Sequence, residues 1–346
     1  MTYTRPSERK DALRLHLNEN TGGCSPAVLE AVRQVSAADV AVYPDYSALS
    51  RECAAYLGVS EEQLVLTNGL DEGLLAATVT SFRVAQSLPG LPEAIIVTPA
   101  FEMYQIFARA SGGRVVAIPP RPDFALPVRE IAGAINTNTR IVFVNTPNNP
   151  TGLVIPRDTL RELVRAVPTT VTVLIDEAYC DFSGETFLPD LATHPNVLIG
   201  RTFAKAHGLA GLRAGCLIGS SARLEMIRGV VPPYSLSVFA VAGWRAALRD
   251  PQYLASYRKQ VEESRNLLYA ACDRLGLRCW RSGANFVLIK VGGDTEELVR
   301  DMAARGVLIR DRSRDPGCRG CIRITAGIVK HTEAAVQALE ALCAVR

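Results

Sequence analysis

Lys205 ends the run Arg201-Thr-Phe-Ala-Lys205, eight residues before Arg213 and within thirty residues of Asp176-Glu-Ala-Tyr179. The chain carries five lysines against 33 arginines, so a lysine in this setting reads as chosen for its chemistry. Its amine can shed a proton and form an imine with an aldehyde, whereas a guanidinium stays charged and is a poor nucleophile. Asp176 closes the apolar run Val171-Thr-Val-Leu-Ile175. That run reads as a buried parallel strand delivering a carboxylate at its C-terminal end. In open α/β sheets this edge is where ligands bind.

Two further segments supply an anion cup. Val65-Leu-Thr67 followed by Asn68-Gly-Leu-Asp-Glu-Gly73 predicts a strand, a turn glycine and a helix start. Free backbone N–H groups at such a start suit a phosphate dianion. Arg213 adds a fixed positive fork and Thr202 a hydroxyl. An imine-forming lysine, a buried carboxylate and a phosphate cup meet three of the four demands of pyridoxal phosphate; the fourth is a group covering the ring face. In that reading Asp176 keeps the pyridine nitrogen protonated, because a nearby negative charge favours the charged form. Tyr179, three residues on, could hydrogen-bond the ring hydroxyl.

Asn145-Thr-Pro-Asn-Asn149-Pro-Thr-Gly152, Asp176-Glu-Ala-Tyr179, Thr202-Phe-Ala-Lys205 and Ala210-Gly-Leu-Arg213, in this order and spacing, resemble the class I/II aminotransferases of pyridoxal-phosphate fold type I. Leu17-Asn-Glu-Asn20, Tyr43-Pro-Asp45, Asn68-Gly-Leu-Asp-Glu72, Arg310-Asp311 and Cys321-Ile-Arg-Ile-Thr325 narrow the resemblance to histidinol-phosphate aminotransferases. The motifs run from about residue 15 to 328, nearly the whole chain.

The resemblance implies an aspartate aminotransferase-like α/β fold: a three-layer sandwich around a mainly parallel sheet, plus a smaller α+β domain. It also implies roles. Lys205 would bind the cofactor and shuttle protons. Asp176 would pair with the pyridinium, and Asn149 and Tyr179 would hold the ring oxygen. Phe101 would stack on the ring, and the backbone of Leu70 and Asp71, with Thr202 and Arg213, would cradle the phosphate. Tyr43 would reach the cofactor of a neighbouring subunit, which implies a homodimer with shared sites. Arg323 would clamp the substrate carboxylate, Arg310 would meet a second anionic group, and Asn20 would contact substrate from an arm that closes over it. An amino donor and a keto acid acceptor are the implied partners, with histidinol phosphate and glutamate as the leading donors. An aromatic or other amino acid donor is an alternative, as is decarboxylation of threonine phosphate on the same fold. A non-catalytic effector-binding role is disfavoured, because Lys205, Asp176 and Arg213 are all present.

The chain departs from the family pattern in two places. Ala204 stands where a second hydroxyl is expected before the lysine, removing a charge-assisted bond of about 1.5–3 kcal/mol from the phosphate cup. The segment Asn18-Glu-Asn-Thr-Gly-Gly-Cys-Ser-Pro26 lacks the aromatic that many members place just after Asn-Glu. Asn285 is open between a ligand contact and a buried backbone cap.

Strand-like runs at 93–98, 114–118, 140–144, 171–175, 196–199 and 215–218 alternate with amphipathic stretches such as 156–166, which begins with Pro and Asp. Such alternation predicts a doubly wound, mainly parallel sheet. A long helical region over 237–275, broken at Asp250-Pro251, leads to strand-like runs at 285–290, 306–309 and 322–325. The expected division is an N-terminal arm over 1–38, a large cofactor-binding domain over 39–249 and a small domain over 250–346, since 346 residues exceed what one core supports. A net charge of +3 without basic clusters argues against a nucleic-acid surface. No run approaches a membrane span, and Met1–Lys10 has no apolar signal region, so the expected location is cytoplasmic. Nine irregularly spaced cysteines do not form a secreted disulfide framework. Cys318-Arg-Gly-Cys321 lacks a second ligand pair, which argues against a metal and leaves a redox pair open.

Overall fold

In this computed structural model, residues 11–83 and 90–343 are described; the first ten residues of the expected arm lie outside them. The strands are, in chain order, β1 (Leu13–Arg14), β2 (Leu64–Asn68), β3 (Glu93–Val97), β4 (Arg114–Ile118), β5 (Thr139–Asn145), β6 (Thr172–Asp176), β7 (Val197–Thr202), β8 (Ala214–Gly219), β9 (Arg278–Cys279), β10 (Phe286–Lys290), β11 (Val307–Leu308), β12 (Arg310–Asp311) and β13 (Cys321–Thr325).

Seven strands form the large sheet in the order β2-β8-β7-β6-β5-β3-β4. Neighbours from β4 to β7 pair in parallel, while β8 runs antiparallel to both β7 and β2. The central strands read as continuous apolar runs because both faces are covered. Successive residues alternate between two cores: Val142, Val144, Val173 and Ile175 join one, and Ile141, Phe143 and Leu174 the other. Helix Gly69–Arg83 covers the second face with Leu70, Leu74 and Ala77. Helices Arg157–Ala166, Ser47–Leu57 and Val238–Leu248 cover the first with Leu160, Leu163, Leu49 and Trp244. Those two helical layers and the sheet between them make the three-layer sandwich.

A second core surrounds the antiparallel sheet β12-β13-β10-β9. It contains Phe286, Ile322, Ile324 and Leu339, with Tyr257, Val261 and Leu268 from helix Pro251–Leu275. That helix starts as the sequence predicts: the Asp250 side chain accepts from Tyr253 N at 3.0 Å, and Pro251 takes the first helical position. Of the strand-like run at 306–309 only Val307–Leu308 forms a strand, β11; β12 begins just after it, at Arg310, and joins a different sheet. β11 pairs in parallel with β1, so the N-terminal arm is tied to this second region. Leu15 follows into the second core and is fully buried.

Candidate active site

β6 ends at Asp176, at the carboxyl edge of the large sheet as its apolar run predicts. The carboxylate is 3 % exposed, accepts from Tyr104 Oη at 2.5 Å and Ala178 N at 2.9 Å, and has no cationic side chain among its recorded partners. Burial pushes its pKa up to about 6, against the two hydrogen bonds that favour the charge. Tyr104 is itself fully buried, stacked on Phe143 at 4.8 Å and edge-on to Phe101 at 5.7 Å. One helix, Met103–Ala110, thus supplies the support for the acid and braces the aromatic ring beside it.

The cavity above Asp176 has two lobes that share Phe101, Asn149, Tyr179, Ala204, Lys205 and Arg213. The inner lobe, about 120 Å³, is lined also by Leu70, Asp71, Asp176 and Thr202. The outer lobe, about 510 Å³, adds His16, Asn18, Glu102, Arg310, Arg312 and Arg323. Lys205 stands at their junction, its Nζ donating to Leu17 O at 3.0 Å and lying 6.0 Å from the Tyr179 ring centre.

Helix Gly69–Arg83 begins at the wall of the inner lobe. Gly69 adopts φ +73°, and a Cβ there would lie 2.4 Å from Arg213 Nη2. A Cβ on Gly215 would lie 2.4 Å from Leu70 N. Both glycines are needed for the helix start, β8 and the guanidinium to approach this closely. Arg213 Nη2 also bonds Asp71 at 3.0 Å. Thr202 Oγ1 caps Ala204 N at 3.2 Å, so the hydroxyl faces the same lobe as the first helical turn.

In the outer lobe Arg323 is 5 % exposed and donates to His16 O at 2.8 Å and to Asn149 Oδ1, with Phe286 under its guanidinium at 5.1 Å. No carboxylate pairs with it directly, and burial with Arg312 and Arg310 nearby draws its pKa down to about 9. Arg310 approaches Glu102 at 3.6 Å; Arg312 meets Glu102 at 3.2 Å and Asp315 at 2.5 Å. Glu102 comes from the loop after β3 and the two arginines from the second region, so these pairs cross the cleft.

Two candidates lie elsewhere. Asn20 spends its amide on Ala206 O and Tyr253 Oη and is not among the lining residues; Asn18 lines the cavity instead and donates to Tyr179 Oη at 2.9 Å. Tyr43 is 75 % exposed and stacks on Tyr234 at 4.2 Å. Asn285 caps the arm, donating to Asn18 O at 3.1 Å. Tyr104, Glu102, Arg312, His16 and Asn18 are site residues that sequence reasoning missed. Cys318 and Cys321 are buried free thiols closing a turn, with Cys321 N donating to Cys318 O at 2.9 Å. Among the described residues no helix is long and apolar enough to cross a membrane.

These residues fit pyridoxal phosphate. A buried carboxylate lacking a cation suits a pyridinium, a glycine-shaped helix start with Arg213 suits a phosphate, and Lys205 lies between that lobe and an arginine-lined space for substrate. Comparison with known proteins agrees. The family model for aminotransferase class I and II matches residues 10–341. Histidinol-phosphate aminotransferase from Moorella thermoacetica is 33% identical over 97% of this chain and 86% of its own length. The protein of that name from Anoxybacillus flavithermus is 34% identical over 97% and 90%. Among solved structures, histidinol-phosphate aminotransferase from Sinorhizobium meliloti, in complex with pyridoxal-5'-phosphate, superposes with a TM-score of 0.86 at 27% identity over 97% of this chain and 92% of that one. Aspartate aminotransferase from Thermus thermophilus shares the fold with a TM-score of 0.81 at 23% identity, covering 96% and 92%. With its lysine, acid and phosphate cup assembled on an aspartate aminotransferase-like sandwich, the chain belongs to the class I and II aminotransferases and uses pyridoxal phosphate.

Proposed function

We propose that this enzyme transfers the amino group of histidinol phosphate to 2-oxoglutarate, and the reverse, as a homodimer in the cytoplasm. The observation that carries the reading is the outer lobe, where Arg323, Arg310 and Arg312 converge next to Lys205. Such a lobe suits a phosphorylated amine and also the two carboxylates of glutamate, as alternating use of both substrates requires. The relatives' names support the same donor.

When bound, pyridoxal phosphate supplies an electron sink for the bonds at the donor's Cα. The roles of the chain's own residues follow from their positions. Asp176 holds a negative charge against the ring nitrogen, kept in place by Tyr104 and Ala178 N. Asn149 and Tyr179 orient the ring oxygen, and Phe101 covers a ring face. Leu70 and Asp71 backbone, Thr202 and Arg213 hold the phosphate. Lys205 Nζ takes the proton from the donor's Cα and returns it to the cofactor side, acting as base and then acid. Arg323 and Arg310 receive the substrate's anionic groups, with two parallel hydrogen bonds available from each planar fork. Tyr43, exposed on one subunit, reaches the site of the other. The arm over 1–38, the large domain over 39–249 and the small domain over 250–346 are the units of this arrangement, supported by the two separate cores.

The test is the near-visible absorbance of the cofactor-loaded enzyme. Histidinol phosphate should shift the lysine-bound band to that of the aminated cofactor, and 2-oxoglutarate should restore it. A shift with aromatic amino acids alone would keep the reaction and reject the donor. Carbon dioxide release from threonine phosphate would replace transamination by decarboxylation.

A further inference from the structure

We propose that His16 determines specificity for a phosphorylated donor, contacting its phosphate in the space between Arg310 and Arg323. The inference rests on the donor reading above and adds a residue to it. Leu15 buries its side chain in the second core, and His16, at the bend that follows β1, lines the outer lobe. The ring is 4 % exposed, and its Nδ1 is buried with no hydrogen-bond partner. Arg312 Nε and Arg323 Nε, on two more residues lining the same lobe, are likewise buried and unpartnered. Buried polar atoms are ordinarily satisfied. Three buried nitrogens without hydrogen-bond partners, on residues that line one cavity, fit a ligand rich in acceptor oxygens, and a phosphate monoester offers three.

Charge agrees with this placement. Arg14 and Glu19 face His16 from the arm, Arg310 and Arg323 from β12 and β13, and Glu102, Arg312 and Asp315 complete the surrounding network. Burial first, then Arg14, brings the imidazole down to about 4, so without ligand it is neutral. A dianion placed between Arg310 and Arg323 offsets those cations and raises the proton affinity of the ring. Phosphate binding is then coupled to proton uptake at His16.

The experiment titrates cofactor-loaded wild type, His16→Ala and His16→Asn with histidinol phosphate and with unphosphorylated histidinol, and measures sulfate as a competitive inhibitor. Sulfate is a dianion across the working range, so its own titration does not intrude. One charge-assisted hydrogen bond predicts about a tenfold or greater weakening of histidinol phosphate in His16→Ala, with histidinol changed less than about twofold. His16→Asn, which retains a donor near Nδ1, should recover most of the loss. Sulfate inhibition of wild type should tighten as pH falls from about 7.5 to about 5.5, and that tightening should vanish in His16→Asn. Equal weakening of both donors, no weakening, no recovery in His16→Asn, or identical sulfate profiles would overturn the proposal. If His16→Ala does not fold, His16→Asn and the sulfate profiles decide the matter. If wild type does not react with histidinol phosphate, the donor reading fails separately, and sulfate inhibition against whichever donor works still tests His16.

Discussion

Asp176→Asn in the cofactor-free protein should increase stability, by an amount that follows from its burial. The carboxyl is 3 % exposed and its pKa rises from an ordinary 3.8 to about 6. The difference, about two pH units at 1.36 kcal/mol each, corresponds to about 3 kcal/mol. A carboxyl with a higher pKa in the fold binds its proton more readily when folded than when unfolded. Its contribution therefore declines as pH climbs from about 4 to about 6, and the full cost is present at neutral pH. Asparagine carries no charge to desolvate, and the Tyr104 hydroxyl can rotate to accept from the amide. The variant should gain up to about 3 kcal/mol over wild type at pH 8, and the gain should shrink to nothing near pH 4. Denaturant midpoints of both cofactor-free proteins across this pH range measure it. Pyridoxal phosphate should then stabilise wild type far more than the variant. A variant no more stable than wild type at pH 8, or a difference that does not change with pH, would refute the account of Asp176 as an uncompensated buried charge.

Three other perturbations have definite outcomes. Lys205→Ala should leave a folded protein with no lysine-bound absorbance band and turnover reduced by orders of magnitude; wild-type turnover in this variant would exclude the mechanism. Arg323→Lys replaces a fork by a point charge in a site that holds Asn149 Oδ1 and His16 O at fixed positions, and kcat/KM for glutamate should fall about tenfold to a hundredfold. Steady-state kinetics at saturating 2-oxoacid check it. Gly215→Ala would bring a Cβ to 2.4 Å from Leu70 N, so the helix start must move. A cost of about 1–3 kcal/mol is expected in thermal unfolding, with weaker cofactor binding by equilibrium dialysis.

Much of the site was legible because its chemistry is local in sequence. Lys205, Asp176 and the Asn68-Gly69 turn each announce themselves by residue type against a predicted strand or helix end. The partners that support them are not local. Tyr104 reaches Asp176 across 72 residues, and nothing in the local sequence marks that pairing. Arg312 follows Arg310 by two, the spacing that keeps two side chains on one side of an extended segment. Glu102 joins both arginines only when the two sheets face each other. Asn18 and Asn20 are chemically equivalent in sequence, and only the turn closed by Asn20 Oδ1 on Gly22 N separates the lining residue from the structural one. The run at 306–309 reads as a strand because its residues are apolar; in the fold Val307–Leu308 pairs with β1, and the chain changes sheet at Arg310, which no periodicity over four residues can register.

The charges of the site explain why it is built between two regions. Inside the large sheet an acid is buried without a base, and in the outer lobe Arg310 and Arg312 meet Glu102 and Asp315 while Arg323, among the described residues, bonds no carboxylate. Bringing Asp176 next to Arg323 would satisfy both and close the cavity. The fold instead keeps them apart, with Asn149 and Tyr179 lining both lobes between them. In the proposed reading the cofactor and substrate carry the opposite sign, a ring cation for Asp176 and an anionic group for Arg323, while Arg213 and Arg310 already meet Asp71 and Glu102. In that reading Asp176 and Arg323, buried charges that no oppositely charged side chain bonds, gain their counter-charge from the ligands, and removing the partner of a desolvated ion costs more than the pair itself is worth. A site of this kind gains specificity from the groups it leaves unpaired. A donor lacking an anionic group would bring Arg323 no counter-charge, whatever its fit to the apolar walls.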